Sequence, residues 1–301
     1  MQTAGTDFGA AADRIPRRIR PFDFGFVAHS SRRAQLPQQT KSARLTAMAK
    51  PSILAELPKY TREAVRFYWQ TRSQQLEKQR KAGGSDQGLR SAVTGGAQMN
   101  GFIELLTKLV VEAGLDRSHI YYQNSLELPG YFRPNKKWDF IVVGNGQLVA
   151  ALEAKSQVGP SFGNNFKRRT EETICSALDL WAAFRKQGTA VRPWVGYLLF
   201  VEDRVAEDDV GTKSPFLQHC ESLCRRLFLE RYYDNVAFVV SDATVARDGG
   251  CREPASDFTF RALANSLFGH AVTTSRCVEQ LSALAHSGRA LGPSETVCPS
   301  S

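Results

Sequence analysis

The sequence predicts an α/β fold, a mixed central sheet flanked by helices. Two observations carry this. Segments of helical period alternate with strand-like apolar segments in the order helix, three strands, helix, strand, helix, strand, helices. Two of the strands are joined by Gly144-Asn145-Gly146, a tripeptide that supplies the positive φ of a tight hairpin. An antiparallel hairpin inside an otherwise alternating α/β order is what makes the sheet mixed.

The elements follow in order. Over 61–81, Ala64, Phe67, Tyr68, Thr71, Gln75 and Leu76 recur at helical spacing on a long polar helix that stops at the glycine-rich "AGGSDQG". "GFIELLTKLVVEAGL" is a second helix, with Phe102, Leu105, Leu106, Leu109 and Val110 on one face and Gly114 as its stop. "HIYYQNSLEL", "WDFIVV" and "QLVAALEAK" read as strands. "TEETICSALDLWAAFRKQG" reads as a helix with Ile174, Ala177, Leu178, Trp181 and Phe184 on its apolar side. "WVGYLLFVED" is a buried strand, "SPFLQHCESLCRRLFLERYY" a helix and "NVAFVVSD" another strand. Two further helical stretches run to about Leu291.

Length and composition bound the possibilities. At 301 residues, with 42% hydrophobic and 23% charged residues, the chain can bury a full core without disulfide or metal support. No apolar run approaches the ~20 residues that span a bilayer, and no signal peptide opens the chain, so a soluble, cytoplasmic protein is expected. Residues 1–47 carry eight Lys or Arg against three Asp and show no periodicity. They read as a disordered basic extension, and Met48 offers an alternative start of translation. A single domain is expected over 48–291, divided into a helical part (48–98) and a catalytic core (99–270), with a tail at 292–301. The net charge of +9 and pI near 9.4 suit a polyanionic partner, nucleic acid above all.

Several chemistries are excluded. Cys220, Cys224 and His219 lack the second ligand cluster that zinc requires, and the six cysteines are expected to be reduced and mostly buried. Thr94–Gly96 lacks the Lys-Ser/Thr of a phosphate-binding loop. The five histidines are scattered, which argues against a histidine-metal nuclease.

The informative stretch is "WDFIVVGNGQLVAALEAK". Its apolar strands end in Asp139 on one arm and in Glu153 and Lys155 on the other. Glu153 and Lys155 share a face because side chains alternate along a strand. Arms of similar length place Asp139 near their level. Two carboxylates ~4 Å apart repel by roughly 4 kcal/mol at an effective dielectric of 20. A divalent cation between them removes that cost, and Mg²⁺ favours one or two carboxylates completed by water and phosphate. Such an ion acidifies water and neutralises charge on a phosphodiester in transition. Lys155 can orient that water or hold the phosphate. Asp139, Glu153 and Lys155 are therefore the expected catalytic set, with Asp139 and Glu153 on the metal. Glu104 is either an accessory acid or a solvated helix position. Glu171 and Glu172 open the next helix, where carboxylates favour the positive end, and Glu172 is alternatively an accessory acid, an outer partner of the metal-bound water or of Lys155.

"LPGYFRPNKKWDFIVV", "ALEAKSQVGPSFGNNF" and "RTEETICSALDLW" together resemble the XhoI family of type II restriction endonucleases, over about Pro51 to Cys277. Trp138 stands where the motif usually has Pro. The resemblance implies a restriction-endonuclease-like PD-(D/E)xK fold, Mg²⁺ dependence, and double-strand cleavage within CTCGAG. It assigns catalysis to the same three residues. It also implies a homodimer, one active site per strand of a palindrome, and a cognate DNA methyltransferase protecting the host. In "SQVGPSFGNNFKRR" the sequence offers a loop leaving the metal-bearing strand. Gln157, Ser161, Asn164 and Asn165, with Arg168 or Arg169, are its expected contacts to double-stranded DNA, and Lys167 suits phosphate. Asn164 or Asn165 alternatively caps the following helix. Two rival functions remain from the sequence: a nuclease of repair or recombination that reads DNA structure, and a DNA-binding protein without catalysis.

Overall fold

The computed structural model describes residues 52–81, 96–123, 125–144, 146–158, 162–187, 192–202, 215–244 and 248–286. Among them the helices are α1 (Leu57–Lys81), α2 (Asn100–Glu112), α3 (Phe162–Gln187), α4 (Pro215–Leu229) and α5 (Phe260–His286). The strands are β1 (Ile120–Tyr122), β2 (Glu127–Pro129), β3 (Asn135–Lys137), β4 (Phe140–Gly144), β5 (Gln147–Gln157), β6 (Trp194–Glu202) and β7 (Asn235–Ser241). The basic extension, the "AGGSDQG" break and the tail at 292–301 lie outside the described residues.

Five strands form the central sheet in the order β1-β4-β5-β6-β7. The β1–β4 and β4–β5 pairs are antiparallel, and β5–β6 and β6–β7 are parallel. The sheet is mixed, as expected, and helices cover both faces. On one face Phe140, Leu152, Ala154, Leu198, Phe200 and Val239 pack with buried residues of α1, α2 and α5. On the other, Ile141, Ala151, Tyr197, Leu199 and Phe238 pack with α3 and α4. This two-sided burial explains why β6 is apolar along almost its whole length. The arrangement is restriction-endonuclease-like.

Several elements differ in detail from expectation, each for a local reason. "HIYYQNSLEL" is two short strands in different sheets, because Gln123 takes a positive φ of 55° and the Ser125 hydroxyl donates to Tyr122 O at 2.7 Å, turning the chain. The second of these strands, β2, pairs antiparallel with β3, a polar strand without a period-two pattern to reveal it. The α1 seam is Ala64, Val65, Tyr68 and Trp69, while Phe67 is exposed. Leu178, expected on the apolar side of α3, is also exposed. One helix, α5, stands where two helical stretches were expected. Cys220 and Cys224 are buried as anticipated, but Cys175 and Cys251 are exposed.

The core centres on Phe200. Its ring lies 4.2 Å from Tyr68, 5.8 Å from Phe102 and 6.3 Å from Trp69, centroid to centroid. The α1–α2 contact is close enough that a Cβ on Gly101 would sit 3.0 Å from Ala64 Cα. Gly114, at φ 101°, lets the chain leave α2, as the sequence requires.

Emptying the site of the Phe200 ring leaves a cavity bounded by three aromatic rings. Phe200→Ala is expected to lower unfolding free energy by about 3–5 kcal/mol, read as a lower urea midpoint at unchanged slope. A loss under about 1 kcal/mol would mean the ring is not a core element.

Candidate active site

The β4–β5 hairpin carries the site, and its register decides which charges meet. Gly144 pairs with Gln147 and Val143 with Leu148, but beyond the shift between Val142 and Val143 the pairs are Val142 with Ala150 and Phe140 with Leu152. The extra residue on β5 is a bulge at Val149. Continuing the shifted register by one step brings Asp139 opposite Glu153. Without the bulge it would come opposite Leu152, which faces the other side. Asp139 itself precedes β4, and its Oδ2 accepts a hydrogen bond from Ala154 N at 2.8 Å.

Glu153, Lys155 and Gln157 share one face of β5 by alternation, on the α3 side. Glu153 is buried against Tyr197, its register partner on β6. Behind it the rings of Tyr197 and Tyr233 lie 5.2 Å apart, and the Tyr233 hydroxyl donates to Thr173 O at 2.9 Å. Each Glu153 oxygen meets its own ammonium: Oε1 pairs with Lys155 Nζ, and Oε2 accepts from Lys136 Nζ at 2.7 Å. Lys155 also lies 3.3 Å from Glu172 Oε1.

The electrostatics follow from this packing. Burial, and then the charge of Glu153, push the Asp139 carboxyl up to about 6, against the pull of Lys155 and Lys136. Burial also opposes the charge of Glu153, but Lys155 and Lys136 overcome it and hold Glu153 below the usual carboxylate range. Lys155 is penalised by burial yet held above the ordinary lysine value by Glu153 and Asp139. The two acids thus differ, Glu153 held ionised and Asp139 keeping its proton up to about pH 6.

These residues suit a hard divalent cation. A buried carboxylate, Glu153, and a half-buried one, Asp139, converge, the second raised by the charge of the first, and oxygen donors of this kind are what Mg²⁺ takes alongside water and phosphate. No group of three or more acidic, histidine or cysteine ligands exists among the described residues, so Asp139 and Glu153 would leave most positions to water and substrate.

The other expected site residues fall in different places. Glu104 is on α2 with its carboxylate held by Arg117 at 3.0 and 3.4 Å, an exposed pair. Helix α3 starts at Phe162, so Glu171 and Glu172 lie well inside it rather than at its positive end. The dipole role falls away, and contact with Lys155 is what Glu172 makes. The same early start removes most of the expected loop. Gln157 belongs to β5 and is buried, because the strand runs on past Lys155. The Arg169 guanidinium is turned inward, donating to Ser156 O. Lys167 and Arg168 are exposed on α3. Ser161 and the side chains of Asn164 and Asn165 lie outside the described residues, and a helix starting at Phe162 rules out either asparagine as its N-cap.

Two residues were not singled out from the sequence. Lys136 sits on β3, over the Trp138 ring at 4.8 Å. Asp179, on α3, accepts from the N–H groups of Tyr131 and Phe132 at 2.7 Å each and from Arg133 Nε at 3.0 Å. Burial opposes its charge, but these donors, Phe132 N–H foremost, hold it below the usual range. A Cβ on Gly130 would fall 2.2 Å from Asp179 Oδ2. Asp179 therefore fixes the turn that delivers β3, and with it Lys136.

The family model for restriction endonuclease XhoI matches residues 78–253, more than half of the chain and the whole of this site. The chain belongs to the XhoI restriction endonuclease family. Among relatives, it is 39% identical over 214 residues to the type II restriction enzyme BstVI of Geobacillus stearothermophilus, covering 64% of this chain and 96% of that one. It is 47% identical over 153 residues to the type II restriction enzyme AbrI of Azospirillum brasilense, covering 50% and 68%. To the type II restriction enzyme XhoI of Xanthomonas vasicola it is 39% identical over 196 residues, covering 60% and 78%. No solved structure matches the chain. Among the described residues no helix is long and apolar enough to cross a membrane.

The raised Asp139 carboxyl makes a signed prediction. The folded protein keeps a proton there that the unfolded chain has already released, so this group's contribution to stability is present below about pH 4 and is lost as pH rises through about 6. In EDTA, Asp139→Asn is expected to exceed the parent by about 2–3 kcal/mol above pH 7 and to match it near pH 4. Urea unfolding across that range reads it, and equal stabilities at pH 7.5 would contradict it.

Proposed function

We propose that this protein is a type II restriction endonuclease that cleaves both strands of DNA at the palindrome CTCGAG and depends on Mg²⁺. The observation that carries the reading is the convergence of Asp139, Glu153 and Lys155 at one end of β5, in a chain of this family. Type II restriction activity is what the names of its relatives state.

Asp139 and Glu153 are the residues to hold the divalent ion, which when bound supplies charge neutralisation at the scissile phosphate and acidifies water. Asp139 is aimed by the Ala154 N–H and Glu153 by its two lysines. Lys155 is fixed between Glu153 and Glu172. From there its ammonium can bind the phosphate or orient the attacking water, and Glu172 acts as the counter-charge that keeps it in place. The buried tyrosines behind Glu153 keep bulk water from that side, which strengthens each of these interactions. Lys167 and Arg168 supply contacts to the DNA backbone or bases. A palindromic target is met by a two-fold dimer bringing one such site to each strand, and a methyltransferase of the same specificity protects the host's own sites.

The direct test uses two plasmids differing in a single CTCGAG, with Mg²⁺ or with EDTA. Linearisation of the site-bearing plasmid alone, and in Mg²⁺ alone, is expected. Cutting of both plasmids would remove the target and favour a nuclease reading structure. A band shift without cutting would mark a binding protein. Lys155→Ala is expected to slow cleavage by on the order of 10²–10³-fold while site binding in Ca²⁺ persists. Lys167→Ala and Arg168→Ala are expected to weaken binding at every sequence and each to reduce the salt slope by about one. Unchanged slopes would take α3 off the DNA.

A further inference from the structure

The site holds one cation more than the proposed chemistry uses. Lys136 is not at the protein surface: its side chain is 10% exposed and that of its partner Glu153 is 2% exposed. Its ammonium has three partners, Glu153 Oε2 at 2.7 Å, Lys137 O at 3.0 Å and the Trp138 ring at 4.8 Å. Lysine is rarely buried, since its four-carbon stem normally carries the charge out to water. Here a separate two-stranded sheet, with its turn tied to Asp179, brings the ammonium inward.

The place it takes is informative. Both Glu153 oxygens carry an ammonium, Oε1 that of Lys155 and Oε2 that of Lys136; the proposed chemistry keeps Lys155 in place, so a metal reaches Glu153 through Oε2, where Lys136 sits. A divalent ion bonds a carboxylate oxygen at about 2.0–2.1 Å in the case of Mg²⁺. A monocation hydrogen-bonded to the same atom and a dication bonded to it repel each other strongly.

We propose that Lys136 is a place-holding cation: it competes with the divalent metal for Glu153 Oε2 and must leave that oxygen as the metal binds. It rests on the reading of Asp139 and Glu153 as the metal-holding pair. Lys136 is then a positioning residue that makes the free protein a poor metal binder. Metal loading is coupled to DNA, because a phosphate arriving at the site offers the displaced ammonium another anion. An endonuclease built this way resists loading its metal before substrate is in place.

The test measures metal rather than cleavage. Mn²⁺ is titrated into the full chain without DNA and free Mn²⁺ is followed by electron paramagnetic resonance, for the parent, Lys136→Met with and without Asp139→Asn, Lys136→Arg and Asp139→Asn alone. The expected result is that Lys136→Met binds Mn²⁺ about tenfold or more tightly than the parent, the scale on which neighbours of a metal ligand alter affinity. Lys136→Arg, which keeps the cation, is expected to stay near the parent, and Asp139→Asn to lose binding. Unchanged or weaker binding by Lys136→Met, with Asp139→Asn still defective, would overturn the place-holder role and leave the metal pair standing. Equal binding by Lys136→Met with and without an added Asp139→Asn change would overturn the metal pair itself and this inference with it. Should Lys136→Met fail to fold, Lys136→Gln repeats the measurement, and thermal unfolding with and without Mn²⁺ separates fold from affinity: a purely structural lysine would lower the melting temperature without enlarging the Mn²⁺-induced rise.

Discussion

The arrangement depends on one interaction, a buried carboxylate held between two ammoniums. Removing an ion from water costs several kcal/mol even after relaxation, and Glu153 is placed against Tyr197 at the centre of the sheet. It stays ionised because Lys155 and Lys136 flank it. Each neighbouring element can be understood by what it brings to that point. Strand β5 carries Glu153 and Lys155 on one face, the hairpin returns Asp139, β3 contributes Lys136, and α3 supplies Glu172 and ties its Arg169 to the end of the strand. The secondary elements are spread along the chain, but their charged residues are spent at one place.

A second constraint works at a distance. Asp179 is two turns along α3 from Glu172 and touches none of the reacting groups, yet it gathers the backbone of Tyr131 and Phe132 and the side chain of Arg133. Carboxylate-to-amide bonds of this sort are stronger than neutral ones, and they set the turn from which β3 departs. Helix α3 therefore meets the site twice, once directly through Glu172 and once through the loop it anchors.

Much of this was legible in the sequence, and the boundary of legibility is physical. Strands β4 and β5 were readable because a buried strand that ends in charged residues breaks its own apolar pattern, so Asp139, Glu153 and Lys155 stood out. Helix α2 was readable because five apolar residues at helical spacing leave little choice. Lys136 was hidden, since a three-residue strand of Asn and Lys carries no period and a lysine's burial depends on partners remote in the chain. The start of α3 was missed because glycines, asparagines and a proline in "VGPSFGNNF" look like a loop, whereas the helix begins at Phe162 within it. Gln157 and Arg169 then turned inward, and burial of polar groups is decided by neighbours that no local pattern names.

The bulge at Val149 has a consequence for how this hairpin can change over generations. Because one inserted residue sets which side chains Asp139 meets, the segment between Phe140 and Leu152 is constrained in length more tightly than in composition. Conservative exchanges of its apolar residues leave the parity of the two arms intact. Adding a single residue there inverts that parity, turning the acid away from its partner while leaving a sheet that still pairs and still looks folded, whereas losing Val149 itself straightens the ladder and keeps Asp139 opposite Glu153. Loss of function by this route would be silent in any measure of secondary structure, and a drifting copy of the gene would reach it by the gain of one codon.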